Sequence, residues 1–134
     1  MSSASQIMAG ILLISVLAVE FGGLALLAML TRRIPGYLDN PLRQNMFRAG
    51  HAHAGVLLVL SLVYFLYLER AGYSEGMQWL AGLLLLVGVL AQSGGFFVHL
   101  GVGQEGRSSA GTVLTRSGAL LIAAALVILA IGLI

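Results

Sequence analysis

The stretch IMAGILLISVLAVEFGGLALLAM, Ile7–Met29, carries a single ionisable side chain, Glu20, inside an otherwise apolar run that ends at Thr31-Arg32-Arg33 and Pro35. A helix of ~20 residues crosses the hydrocarbon of a bilayer. Backbone N–H and C=O groups find no water there and must bond to one another, so the run is helical. Three more runs follow. The second covers about Met46–Leu68 and is closed by Glu69-Arg70-Ala71-Gly72; the third covers about Met77–Val102. The fourth covers about Gly118–Ile134, with a polar lead-in from Arg107 to Ser117 that can extend the helix past the hydrocarbon. The expected fold is an all-α, polytopic membrane four-helix bundle, up-down-up-down, forming one transmembrane domain over residues 1–134.

Composition points the same way. Of 134 residues, 59% are hydrophobic and 9% charged, too few charges to cover a soluble surface. Cysteine is absent, which removes disulfides, Cys-ligated zinc, iron–sulfur clusters and CxxCH-attached haem. The net charge of +2 rests on few groups and gives no reason to expect nucleic acid as a partner. The opening MSSASQ has no basic n-region, and the apolar run after it is too long for a signal-peptide core, so it reads as a retained first span.

Arg32, Arg33, Arg43, Arg48, Arg107 and Arg116 fall on the side of the one–two and three–four loops, and only Arg70 falls opposite. That bias places those loops in the cytoplasm and both termini outside, N-out and C-out. Tyr64, Tyr67, Tyr73 and Trp79 gather at the outer ends of spans two and three, where an aromatic interface belt is expected. Small residues mark every span: Gly22 and Gly23; Gly50, Ala54 and Gly55; Gly88, Gly94 and Gly95; Gly118, Ala119 and Ala123. Such stripes let helix backbones approach, within the bundle or against a second copy, so a homo-oligomer or a larger membrane complex is expected.

Polar groups inside lipid are rare and mark sites. Glu20 lies midway along the first span, and Gln92 lies two helical turns deeper than His99 on the same face, at a similar level. His51 and His53, in GHAHAG (50–55), and His99, in GGFFVHLG (94–101), lie within one or two turns of the arginine-rich face. The expectation is a histidine layer above a deeper Glu20/Gln92 layer. Residues two apart on a helix point ~200° apart, so only one of His51 and His53 can face the interior.

Imidazoles from neighbouring spans suit a transition metal (zinc, copper or iron) or haem b, with His51, His53 and His99 as candidate ligands. Glu20 would set charge or relay protons, Gln92 would orient Glu20, and Arg48 and Arg116 lie where anionic groups such as haem propionates would sit. No ExxH pair is present, so the di-iron bundle pattern is absent. No Ser/His/Asp constellation, phosphate loop or carboxylate pair is found, and no catalytic residue is assigned. Two alternatives use the same residues: a proton- or small-solute-conducting module, and a structural subunit whose polar layer holds helices together.

FRAGHAHAG (47–55) and the apolar run after it resemble the His-led helix of haem–copper oxidase and nitric-oxide-reductase-type subunits. The likeness covers one span and implies a haem ligand at His51 or His53. VEFGGLALL (19–27) and the four-span length are similar to the DoxX-like family of small bacterial membrane proteins, some linked to respiratory quinol chemistry. The whole chain looks most like bacterial four-span proteins with a GHxHxG motif. These resemblances imply a bacterial inner (plasma) membrane protein, accessory to membrane electron transfer.

Overall fold

The computed structural model describes residues 2–134 and consists of four helices: α1 (Ser3–Thr31), α2 (Pro41–Leu68), α3 (Glu75–Val102) and α4 (Ala110–Leu133). All four are long and apolar enough to cross a membrane, and no strand occurs among the described residues. The chain is therefore an all-α four-helix bundle of membrane-spanning helices.

Each helix starts before its apolar run, for local reasons. Asn40 caps α2 by accepting from the Arg43 N–H at 3.0 Å, and Pro41 takes the first helical position, where its missing N–H costs nothing. Ser109 caps α4 in a reciprocal box with Thr112. At ~1.5 Å per residue the helices measure roughly 36–44 Å, so their polar first turns project beyond a ~30 Å hydrocarbon layer.

The helices do not form a square. α2 and α3 stand in the middle, each against the three others, while α1 and α4 flank them without meeting. The α3–α4 pair is the closest. A Cβ on Gly118 would fall on the backbone nitrogen of Gln92, and one on Gly111 on that of His99. In return, a Cβ on Gly95 would lie 2.6 Å from the Gly111 carbonyl, and one on Gly88 3.0 Å from that of Gly118. Here the two backbones come into contact, with the Thr115 and Ile122 side chains beside Gly95 and Gly88. Ala81 and Ala125, both fully buried, continue each row at the same seven-residue spacing. Seven residues is close to two turns, so the small positions stay on one seam, as in a left-handed antiparallel pair.

Two tyrosines bind α4 further. Tyr64, 2% exposed, donates to the Ala125 carbonyl at 3.0 Å, and Tyr73 to that of Ile128 at 2.6 Å. These two serve as ties between helices; Tyr67 is the exposed one, with the Arg70 guanidinium 5.8 Å from its ring centre.

α1 is held mainly near its start. Met8 and Leu12 enter the core beside Phe65 and Leu85. Ser2 donates to Glu69 from its backbone N–H at 2.9 and 3.0 Å and from its hydroxyl at 2.9 Å, and Ser3 donates to Glu75. Hydrogen bonding from the Ser5 side chain, then from the Ser2 backbone, holds the Glu69 carboxyl down at about 2. Beyond Leu12 a cleft opens between α1 and α3, lined by Ser15, Ala18 and Val19 of α1. The buried apolar core concentrates in the half of the bundle away from the arginine-rich end.

Candidate functional site

The three histidines face three different neighbours. His51 lies flat on the glycine step of α1: a Cβ on Gly22 would come within 3.2 Å of its Nδ1, and one on Gly23 within 3.4 Å of its Nε2. A methyl group at Gly22 would push the ring by a few tenths of an ångström, and one at Gly23 would rest against it.

His53 turns toward α3. Its ring lies against Phe96, tilted by 39° with centres 4.7 Å apart, and its Nδ1 lies 2.8 Å from the Ala49 carbonyl one turn back. A carbonyl only accepts, so Nδ1 carries the hydrogen and Nε2 keeps its lone pair.

His99 turns toward α4, with Nδ1 2.7 Å from Ser109 Oγ. That oxygen already accepts from the N–H groups of Gly111 and Thr112, at 3.1 and 3.4 Å. With that oxygen already accepting from two N–H groups, the serine hydroxyl is placed to donate to His99 Nδ1, which Thr112 Oγ1 also approaches at 3.4 Å; in the neutral ring Nε2 then carries the proton. His53 and His99 therefore hold opposite tautomers. His53 offers a lone pair and His99 offers a donor.

Among the described residues no group of three His, Cys, Asp or Glu side chains lies where it could hold a metal ion. Glu20 is exposed on the outer face of α1, in a seam with Leu13, Leu17, Leu24 and Leu27, and has no hydrogen-bond or ion-pair partner among the described residues. The structure brings it neither to the histidines nor to Gln92. The turn at Gln92 is occupied by α4 instead: its nitrogen lies under Gly118, and its carbonyl accepts from Thr115 Oγ1 at 3.3 Å.

What the structure does bring together is His99 and Arg116. They share a pocket of about 260 Å³ between the ends of α2, α3 and α4, with Thr112 and Thr115 beside them and Met46 and Phe96 as apolar wall. Arg48, exposed on α2, does not line it. Sequence reasoning missed Ser109, Thr112 and Thr115. Their signal was present: Ser-x-x-Thr-x-x-Thr, a capping box continued for one turn, at the mouth of a helix facing His99.

The polar groups of the pocket are matched to an acceptor. His99 Nε2–H and the Arg116 guanidinium donate, and Thr115 already spends its hydrogen on Gln92. Phe96 and Met46, both partly exposed, supply the apolar wall. Such a site suits a molecule with an oxyanion at one end and hydrocarbon at the other. No protein-family model, curated protein or solved structure matches the chain.

Proposed function

We propose that this protein is a non-hydrolytic accessory subunit of a bacterial inner membrane, which holds an anionic-headed lipid at its arginine-rich rim. The observation that carries the reading is the pocket that His99 and Arg116 share: with Nδ1 held by Ser109, Nε2 of the neutral ring is the donor in a site with an apolar wall. Charge-assisted hydrogen bonds from a guanidinium to phosphate or carboxylate are among the strong ones. The test is titration of the detergent-purified protein with dioctanoyl phosphatidylglycerol, oleate and dioctanoyl phosphatidylcholine. Binding of one anionic probe, weakened about tenfold by His99→Leu and by Arg116→Gln, is expected; the arm that binds distinguishes phosphate from carboxylate. Equal binding of all three probes, indifferent to both substitutions, overturns the proposal.

One observation favours a second reading, a haem or metal centre serving membrane electron transfer. The Nδ1–H of His53 is fixed on a carbonyl, the arrangement that orients a ligating imidazole and leaves Nε2 for the iron or metal. A two-histidine clamp within one chain does not fit, because His51 and His99 face other helices. The remaining ligand would come from a second copy or another subunit. Absorption spectra and metal analysis of protein from haem- and metal-replete cells, wild type against His53→Ala, decide it. A colourless, metal-free wild type removes this reading.

A further inference from the structure

We propose that the cleft between α1 and α3 binds a membrane-soluble carbonyl compound, a molecule with an apolar ring or chain whose ketone-type oxygen accepts a hydrogen bond from Ser93. The cleft has a volume of about 360 Å³, within the range of small-molecule sites. Leu12 and Val19 of α1, Leu58 of α2, and Val89 and Phe97 of α3 form its walls. It shares no residue with the rim pocket.

Ser15 and Ser93 are its hydroxyl-bearing residues, and they differ. Ser15 donates to the Ile11 carbonyl at 2.8 Å, as Ser61 on α2 donates to Leu57 at 2.7 Å. Bonding back by one turn is how a helical serine satisfies itself without water. Ser93 does not: it is 7% exposed and its Oγ has no partner. An unpaired hydroxyl in an apolar surrounding is costly. Ser93 lines the cleft, where an acceptor would relieve it.

Depth selects the acceptor. Ser93 lies four to five residues from the middle of α3, so ~7 Å from its mid-point and well within a hydrocarbon half-thickness of ~15 Å. Phospholipid ester carbonyls lie at the edge of that layer, and their acyl chains carry no acceptor. The occupant must bring its own oxygen into the hydrocarbon. Gly94 makes room for it: a Cβ there would meet nothing within 4 Å.

The test uses the full chain in nanodiscs, a decyl-substituted benzoquinone as probe and decylbenzene as its carbonyl-free analogue. Wild type should retain the quinone above the partitioning of empty discs. Ser93→Ala should weaken it about fivefold, the worth of one neutral hydrogen bond, and leave decylbenzene unchanged. Gly94→Leu, which fills the cleft, should remove both, with an unaltered thermal midpoint showing that the bundle still folds. Quinone binding to Ser93→Ala at wild-type strength overturns the proposal, as does retention no greater than that of empty discs.

Discussion

α4 and α1 are the two flanking helices, and they are attached in opposite ways. α4 lies backbone to backbone on α3 along Gly88, Gly95, Gly111 and Gly118, with Tyr64 and Tyr73 bonded to its carbonyls. α1 is tied at its first turn and by Met8 and Leu12, then is parted from α3 by the cleft and meets α2 through His51. The contrast shows where this bundle keeps rigidity and where it keeps space. Apolar side chains gain little by leaving lipid for protein, so helix pairing in a membrane depends on close packing, which small residues permit. On α4 those residues meet small partners on α3 in register, whereas Gly94 of α3 faces open space at the α1 cleft.

The largest test of the contrast is Gly118→Leu. A side chain there collides with the Gln92 backbone, which cannot rotate away. Forcing extra atoms into a packed contact typically costs ~1–3 kcal/mol, and a backbone obstacle places this substitution at the upper end. Thermal or denaturant unfolding in detergent should show it, and wild-type stability would mean that the helices separate freely. A smaller effect is expected from Tyr64→Phe, which removes the bond to the Ala125 carbonyl. Roughly 1 kcal/mol is the scale of one hydrogen bond between membrane helices, and double-mutant analysis with Tyr73→Phe should give two separable contributions.

The tether of α1 responds to pH. The Glu69 carboxyl sits near 2 when folded, below its ordinary 4.5. A depressed carboxyl stabilises the folded state fully above its unfolded pKa, and that stability is lost as pH falls from about 4.5 toward 2. Unfolding midpoints of wild type should decline across that window more steeply than those of Glu69→Gln, which begins lower at neutral pH. Parallel curves would show that the serines do not discriminate carboxylate from amide. The smallest effect belongs to Glu20→Leu. Glu20 touches nothing that the substitution would break, so the midpoint of the detergent-solubilised protein should move within ~0.5 kcal/mol, as at ordinary surface positions. A large loss would place Glu20 in a contact on α1's outer face.

Much of the architecture is legible in the chain. Four apolar runs, the clustering of six arginines at one end and the absence of cysteine bound it before any contact is known. The α3–α4 seam was half-legible. The small residues were visible, but those that meet, Gly88, Gly95, Gly111 and Gly118, are spaced by seven, while the nearby Ala119 and Ala123 are exposed. The site was legible only as an inventory. His51, His53 and His99 do lie toward one end, yet each rotates toward a different helix, and Glu20 points outward despite its central depth.

What the sequence by itself determined is position along the membrane normal, because each residue's height follows from its number and a fixed rise per residue. Only the tertiary structure decided azimuth: which way each side chain points around its helix, and which neighbour meets it. A helix can rotate about its axis without changing any residue's depth. Its rotation is set by packing, here by glycines that let α4 sit on α3 and by the Gly22–Gly23 step that seats His51 on α1. Packing thus gave His99 the serine that fixes its proton, brought Arg116 beside it, and left Ser93 with a hydroxyl to share.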